Sequence, residues 1–253
     1  MTMADQEAAV AGGPTLDYGS RGTIGLLLPS GNQAAEVQLR AMLPADVGLR
    51  TTRLKLTDST EASLLAMADR LEEDARLVAD ARVALVLFHC TAVSTYSAEL
   101  EGALQRRIVQ ATGLQAATTS QALLESLKAL GARRLALLSP YGESVIAREA
   151  DFFRAHGFAV ECCEGLGCQT ADEMMAVSPS QWFEFVSRRM PQQAEVGVLS
   201  CTTVRTAEVV DALERRMGRP VVTSNTAAAW YAMRRLGVPD QVAGFGQLLQ
   251  LPG

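Results

Sequence analysis

The second half of this 253-residue chain repeats the first, and this repeat restricts the possible folds more than any other feature. RRLALLSPYGES resembles GTIGLLLPSGNQ, and Pro140 follows Pro29 by 111 residues. The same interval separates Cys90 in LVLFHCTAVST from Cys201 in GVLSCTTVRT. A third pair of segments, ATGLQAATTSQALLESLKALG and RMGRPVVTSNTAAAWYAMRRLG, follows in the same order. Three matched segments in one order predict two similar halves.

Each half alternates short apolar runs with segments of helical spacing. TIGLLLP and VALVLFHC are apolar throughout, which is typical of parallel strands buried on both faces. EASLLAMADRLEEDARLVADA, AELEGALQRRIVQATG and TTSQALLESLKALG have the spacing of helices. The alternation predicts an α/β fold of two pseudo-symmetric Rossmann-like domains with parallel sheets and an active site in the cleft between them. The predicted boundaries are a disordered tail at 1–21, a first domain at 22–117 plus 225–253, and a second domain at 118–224.

Composition excludes several classes of protein. Hydrophobic residues make up 48% of the chain, enough for a sizeable core, and the net charge of −5 comes without a basic stripe for nucleic acid. No apolar run approaches the eighteen or so residues of a membrane span. The opening MTMADQEAAVAGGP lacks the basic start and apolar stretch of a secretion signal, so we expect a cytoplasmic protein whose five cysteines stay reduced.

Two cysteines stand where ligands of parallel α/β sheets bind, beyond the carboxyl ends of strands. The repeat places Cys90 and Cys201 on opposite sides of one cleft, and Asn32 and Tyr141 also follow predicted strands. Hydroxyl and amide residues cluster at the nearby strand-to-helix junctions, where free N–H groups favour anions. The residues of this cluster are Thr91, Ser94, Ser120, Thr202, Thr203, Ser224, Asn225 and Thr226. Together they predict a carboxylate-binding site.

Two facing thiols permit two kinds of chemistry. One thiolate can remove a proton next to a carboxylate while the other thiol returns one on the opposite face. Alternatively, a thiolate can add to an activated double bond, allow rotation and leave. Neither route needs a cofactor. Pyridoxal phosphate is disfavoured because Lys55 lies in the alternating RLKLTD and Lys128 lies inside a helix. Nucleotide-binding and α/β-hydrolase sites are also disfavoured, because no GxGxxG follows the first strand and neither GxxxxGK[ST] nor GxSxG occurs.

A metal site is not predicted. Cys162, Cys163 and Cys168 lie close together, but their spacing lacks C-x-x-C pairs, and the chain has only two histidines. One of these, His89, directly precedes Cys90 and should point to the opposite face of an extended strand.

The segments around these residues resemble loops of the aspartate/glutamate racemase superfamily, and are most similar to its branch of maleate cis-trans isomerases and arylmalonate decarboxylases. The resemblance runs from about Thr23 to about Leu249 and rests on LLPSGNQAAE, FHCTAVSTY, LLSPYGESV, LSCTTVRT and PVVTSNTAAAW. It implies a cofactor-independent homo-oligomeric enzyme that isomerises or racemises a small dicarboxylate, most like a maleate isomerase. It also implies Cys90 as nucleophile and Cys201 as acid and base. The substrate-binding candidates are Ser30, Asn32, Thr91, Tyr141, Thr202 and Ser224.

Two departures keep alternatives open. Maleate isomerases carry a further asparagine in the loop that matches GLGCQTADEMMAVSP, where this chain offers only Gln169 or Thr170. Arylmalonate decarboxylases carry glycine in place of Cys90 and one cysteine, matched by Cys201. A decarboxylase of substituted malonates with Cys201 as proton donor is therefore the alternative enzyme. A non-catalytic protein that binds small carboxylates is the alternative of another class.

Overall fold

Two four-stranded parallel sheets form the framework of the protein. The computed structural model describes residues 16–56 and 60–252. The strands are β1 (Thr23–Pro29), β2 (Gly48–Leu54), β3 (Leu85–Phe88), β4 (Gln115–Thr118), β5 (Arg134–Ser139), β6 (Ala159–Gly165), β7 (Val196–Leu199) and β8 (Val221–Thr223). Their order is β2-β1-β3-β4 in one sheet and β6-β5-β7-β8 in the other. The predicted fold of two matching α/β units with parallel sheets is confirmed.

Helices connect successive strands. The α-helices of the described residues are α1 (Ala35–Met42), α2 (Glu61–Ala66), α3 (Leu71–Ala79), α4 (Thr91–Ser94), α5 (Ala98–Thr112), α6 (Thr119–Ala129), α7 (Glu143–Ala155), α8 (Ala171–Ala176), α9 (Pro179–Arg189), α10 (Val210–Met217) and α11 (Ser224–Arg235). Short 3₁₀ turns occupy Ala207–Val209 and Leu248–Gln250. No helix within the described ranges is both long enough and apolar enough to cross a membrane.

One predicted helix differs from the structure. The spacing of EASLLAMADRLEEDARLVADA predicts one helix, but α2 ends at Ala66 and α3 begins at Leu71. Between them Asp69 and Leu71 donate backbone hydrogen bonds three residues back, to Ala66 and Ala68. These tighter turns keep the same side of the chain buried, so the apolar spacing does not reveal the break.

The two units share their apolar core. Side chains alternate across each central strand, so Leu26 of β1 and Leu137 of β5 belong to one cluster of buried residues. Leu27 and Leu138 belong to a second cluster, which again draws on both halves. The strands of the two sheets lie at 23–118 and 134–223, and the predicted domain boundaries stay a prediction.

The predicted N-terminal tail is only partly within the described residues. Residues 1–15 lie outside them. In the remainder, the Asp17 carboxylate accepts hydrogen bonds from the backbone N–H groups of Gly19 and Ser20. Arg21 forms ion pairs with Asp46 and Asp240.

Candidate active site

A cavity of about 490 Å³, counted with its open mouth, lies between the carboxyl ends of the central strands of both sheets. The residues that line it are Pro29, Gly31, Asn32, Leu56, Leu64, Cys90, Ala92, Tyr141, Ala171, Met174, Cys201, Thr202 and Thr203. Four of these, Asn32, Cys90, Tyr141 and Cys201, are the residues that the sequence places at strand ends. The fold therefore brings both predicted cysteines to one cavity.

Cys90 stands between β3 and the short helix α4. Its backbone is extended, with φ of −144°, and its carbonyl accepts the first hydrogen bond of the helix from Ser94. The thiol faces the backbone N–H groups of Ala92 and Val93, and the residue as a whole is 5% exposed. These N–H groups favour a thiolate over a thiol.

Cys201 occupies the matching position after β7, with a different backbone. Its φ of 125° is rare for a residue with a side chain, and such strained conformations concentrate at functional sites. The Thr203 N–H donates a hydrogen bond to the sulfur at 3.3 Å. Tyr141 donates a second, through its hydroxyl. The Cys201 N–H itself donates to Ser224 Oγ at 3.1 Å.

The ionisation of both thiols is controlled by burial and by the hydrogen-bond donors beside them. Burial raises the pKa of Cys90 and the pKa of Cys201 to about 12, while the neighbouring donors act in the opposite direction. A charge on Cys201 further raises the pKa of Cys90. Burial also raises the pKa of Tyr141 well above its ordinary value, so this hydroxyl remains a donor. Both thiols are therefore protonated at neutral pH.

Asn32 connects the two halves across the cavity. Its side-chain oxygen accepts hydrogen bonds from the N–H groups of Ala34 and Ala35 at the start of α1. Its amide nitrogen donates to Thr202 Oγ1 at 2.9 Å, which leaves one N–H for a ligand.

Three predicted binding residues do not line the cavity. Thr91 and Ser224 are fully buried behind the cysteines, with their hydroxyl oxygens 2.8 Å apart. The Ser30 hydroxyl donates to the Leu56 carbonyl and accepts the Leu56 N–H. These hydroxyls hold the loops of the site in place, and their predicted contact with substrate stays a prediction.

His89 belongs to a separate buried network. Its ring nitrogens lie 3.0 Å from Thr119 Oγ1 and 2.8 Å from Asn225 Oδ1. Burial lowers the pKa of this histidine to about 4, so the ring is neutral at pH 7. Asn225 in turn donates to Gln38 and to the Thr202 carbonyl. The network thus supports the Cys201 loop from behind.

Glu149 of α7, which the sequence did not predict, lies behind the site. This carboxyl group is 1% exposed and accepts hydrogen bonds from Ser200 Oγ at 2.6 Å and Thr95 Oγ1 at 3.3 Å. Burial raises its pKa to about 7. An acidic residue in a helix ordinarily indicates a solvated face. The only available signal is the repeat, because Glu149 follows the buried Gln38 by 111 residues.

The loop after β6 contributes apolar contacts to the cavity. Gln169 and Thr170 are exposed and do not line it, and Thr170 instead caps α8 by accepting the Glu173 N–H. Ala171 and Met174 of α8 line the cavity in their place. Among the described residues, no three or more His, Cys, Asp or Glu side chains come together as a metal would require.

The protein has two matching parallel-sheet units, and each contributes one cysteine to a shared cavity. This arrangement defines a class of two-unit α/β proteins with the site between the units. A family model described as arylmalonate decarboxylase matches residues 24–249. The chain therefore belongs to the arylmalonate decarboxylase family, which is a family of enzymes.

Relatives of known activity fall into two groups. The maleate isomerase of Nocardia farcinica (strain IFM 10152) is 27% identical over 248 residues, which cover 90% of this chain and 95% of the relative. The arylmalonate decarboxylase of Bordetella bronchiseptica is 29% identical over 237 residues, which cover 92% and 98%. The chain is thus similar to isomerases and decarboxylases at nearly equal identity.

Solved structures agree with this placement. A liganded double mutant of arylmalonate decarboxylase, with a glycine replaced by cysteine and a cysteine by serine, has a TM-score of 0.84 at 29% identity and covers 90% of this chain and 98% of its own. A cysteine-to-serine mutant of Nocardia farcinica maleate cis-trans isomerase, with a covalently bound succinylcysteine intermediate, has a TM-score of 0.85 at 24% identity and covers 90% and 98%. The second likeness concerns the fold.

Proposed function

We propose that this protein is a cofactor-independent isomerase or racemase that uses Cys90 and Cys201 on a small dicarboxylate, most like a maleate cis-trans isomerase. The observation that carries the proposal is that one thiol from each half lines the same cavity. A decarboxylase needs one proton donor, whereas addition to an alkene or inversion at a carbon uses a group on each side.

In the proposed reaction the Cys90 thiol first gives its proton to solvent, and the thiolate then adds to one alkene carbon. The Cys201 thiol gives its proton to the neighbouring carbon, so the double bond becomes a single bond and can rotate. The Cys201 thiolate then takes the proton back, the carbon–sulfur bond breaks, and the trans alkene leaves with the Cys90 thiolate restored. The succinylcysteine of the Nocardia farcinica isomerase structure is the adduct that such an addition forms from maleate.

Neutral donors are proposed to bind the substrate carboxylates. None of the described residues that line the cavity is Lys or Arg. The second N–H of Asn32 and the Thr202 hydroxyl line the cavity and are placed to donate to carboxylate oxygens. Tyr141 also lines the cavity and would donate to a carboxylate by exchanging its hydrogen bond to Cys201 for one to the substrate. Such preorganised donors stabilise the charge that develops on a carboxylate when its neighbouring carbon gains electrons.

Decarboxylation of a substituted malonate is the second candidate. It is supported by the apolar side chains Leu56, Leu64 and Met174 in the cavity wall and by the 29% identity to a decarboxylase. Loss of CO₂ from an apolar site leaves a carbanion that Cys201 would protonate on one face. Cys90 on the other face would then give a product of mixed handedness.

Proton NMR in deuterated buffer tests both candidates with purified protein. We expect the maleate vinyl signal to convert to that of fumarate, and no change in phenylmalonate. Deuterated phenylacetate without fumarate would assign the decarboxylase reaction instead. Absence of conversion in both tubes would contradict both named substrates.

Single substitutions separate the roles of the two thiols. We expect Cys90→Ser and Cys201→Ser each to lower kcat for isomerisation at least about a thousandfold, because neither half-reaction proceeds without its thiol. Cys162→Ser is the matched control, since Cys162 lies in β6 and does not line the cavity. If Cys90→Ser kept full activity, the two-thiol mechanism would be wrong.

A further inference from the structure

Glu149 lies behind both cysteines and joins the segments that carry them. One of its oxygens accepts from Ser200, which directly precedes Cys201, and the other lies 3.3 Å from Thr95 Oγ1, just after α4. The Thr95 hydroxyl also lies 2.8 Å from the Thr91 carbonyl. A single hydroxyl proton cannot serve both acceptors. When Glu149 is protonated, it can donate to Thr95, Thr95 can donate to Thr91, and all the polar groups are satisfied.

The repeat shows that a carboxylate is not required at this position for packing. Gln38 of α1 precedes Glu149 by the 111 residues that separate Cys90 from Cys201. It too is buried and reaches the cysteine segment of the other half, donating to the Val204 carbonyl at 2.6 Å. The two halves therefore place a neutral amide behind one side of the site and an acid behind the other.

The acid can act on the cavity through its charge. When ionised, Glu149 raises the pKa of each nearby acidic group, because a second negative charge is unfavourable in a buried site. Arg148 of the same helix acts in the opposite direction on Glu149. The groups in electrostatic contact with Glu149 are Cys90, Tyr141, Arg148, Cys163 and Cys201.

We propose that Glu149 is a positioning residue that tunes how readily the two cysteines ionise. Its ionised form disfavours a thiolate at either cysteine, and its protonated form removes this opposing charge. The inference rests on the proposed two-thiol function, because it concerns when the thiolate is available. Glu149 does not line the cavity and acts through the cysteines.

The consequence is a characteristic dependence of thiol reactivity on pH. Alkylation by the neutral reagent iodoacetamide follows the thiolate fraction, so its rate rises with pH in proportion to hydroxide. As Glu149 ionises, the thiol pKa values rise and the curve flattens before it resumes its slope. We expect this inflection near neutral pH at Cys90 and Cys201, and no inflection from this source at Cys162.

The test measures alkylation rates of individual cysteine peptides by mass spectrometry in the wild-type protein and in Glu149→Gln. The glutamine can accept from Ser200 and donate to Thr95. It therefore reproduces the hydrogen bonds of the protonated acid and cannot ionise. We expect the inflection to vanish and both active-site thiols to react about tenfold faster at about pH 9, with equal rates at about pH 6. Asp151→Asn, an exposed change two residues along the same helix, should leave the wild-type curve unchanged.

Two results would overturn the proposal. One is an inflection in the alkylation curve of Glu149→Gln that matches that of the wild type. The other is an alkylation rate in Glu149→Gln that differs from the wild-type rate by the same factor at all pH values, which would indicate a merely structural role. If Glu149→Gln does not fold, Ser200→Ala provides the second measurement. Loss of this hydrogen bond raises the pKa of Glu149, so the inflection must move to higher pH, and an unmoved inflection would contradict the proposal.

The experiment is independent of turnover. Iodoacetamide reports the ionisation of Cys90 and Cys201 whether or not maleate or phenylmalonate is converted. If neither substrate is converted but the alkylation curve shows the predicted inflection, only the choice of substrates is contradicted. If a substrate is converted but the inflection is missing, only the role of Glu149 is contradicted.

Discussion

Two buried ionisable side chains behind the site, His89 and Glu149, respond to acid in opposite directions. Burial lowers the pKa of His89 to about 4, below the ordinary value of 6.5. Burial raises the pKa of Glu149 to about 7, above the ordinary value of 4.5. Between pH 6.5 and 4, the unfolded chain therefore binds a proton at His89 that the folded chain does not. Between pH 7 and 4.5, the folded chain binds a proton at Glu149 that the unfolded chain does not.

These two proton balances have opposite effects on stability. The contribution of His89 to the free energy of unfolding falls as pH decreases through its window, by about 1.4 kcal/mol per pH unit. The contribution of Glu149 rises by about the same amount per unit as pH decreases through its own window. The windows overlap between pH 4.5 and 6.5, so the two contributions nearly cancel there.

Removing one member of this pair should expose the other. The quantity to compare is the change in the free energy of unfolding between about pH 6 and about pH 5. We expect this free energy to fall by about 1.4 kcal/mol more in Glu149→Gln than in the wild type. Urea unfolding at a series of pH values measures the difference, with Asp151→Asn as the control. Parallel curves for Glu149→Gln and wild type would show that the two groups are not opposed.

At the residue scale, the sequence is a good guide to the positions that lie near the site. It is a poorer guide to the atoms that face the ligand. Cys90 and Cys201 end apolar runs, and the repeat pairs them, so both could be assigned to one cleft. The hydroxyls of Thr91 and Ser224 follow strands in the same way, yet they bind each other. A shift of one or two residues along the turn after a strand decides whether a side chain faces the cavity or lies behind it. This shift depends on tertiary contacts that the local sequence does not encode.

At the level of secondary structure, the end of β6 packs closely against the backbone of Tyr141. A side chain added at Gly165 would overlap the carbonyl oxygen of Tyr141, which accepts a hydrogen bond from Gly167. The neighbouring Gly142 differs, because an added side chain would meet only the Gln169 amide nitrogen at 3.4 Å, an ordinary contact. The two glycines therefore form a matched pair beside one tyrosine.

We expect Gly165→Ala to displace the Tyr141 loop and to lower stability by about 1–3 kcal/mol, together with kcat/KM. Gly142→Ala should change stability by less than about 0.5 kcal/mol and leave activity near that of the wild type. Thermal unfolding and turnover assays of the two variants provide the comparison. Equal effects of the two substitutions would argue against control of Tyr141 by β6.

The positions of most secondary-structure elements were predictable because their signals are local. Gly113 ends α5 with a φ of 69°, and Ser178 and Gln181 form a reciprocal cap at the start of α9. The break between α2 and α3 has no such marker, since both helices bury the same side of the chain. Leu64 of α2, which precedes the break, lines the cavity.

At the scale of the whole molecule, the shared core predicts that the halves unfold together. Trp182 of α9 lies in one cluster of buried residues and Trp230 of α11 in the other. Neither indole N–H has a hydrogen-bond partner among the described residues, so Trp→Phe leaves no polar group unpaired. The single-tryptophan variants Trp182→Phe and Trp230→Phe should therefore give coincident urea transitions by fluorescence.

A substitution in the core of the first half extends this test. We expect Leu26→Ala to lower the stability reported by either tryptophan by about 2–5 kcal/mol, because its cluster includes residues of both units. Val37→Ala, on an exposed side chain of α1, is the control. Two separate transitions, with only one displaced by Leu26→Ala, would indicate independent units.

The repeat predicted the architecture of the whole molecule, including one cavity between two matching sheets. It could not predict the bond from Asn32 to Thr202 across that cavity, because Asn32 has Glu143 as its counterpart in the second half. Matched segments identify what the halves share, whereas the chemistry of the site depends on where they differ.

The pairing of Gln38 with Glu149 has a consequence for any ancestor of half this length. Such a chain could have built this cavity only as a pair of identical copies, because each half buries its apolar face against the other. Its two thiols would then have had identical surroundings and identical acidity. Covalent fusion of the copies removes that constraint, so that an amide can stand behind one side and an acid behind the other. Unequal surroundings for the two cysteines before any ligand binds are thus a property that a fused chain can acquire and a symmetric pair cannot.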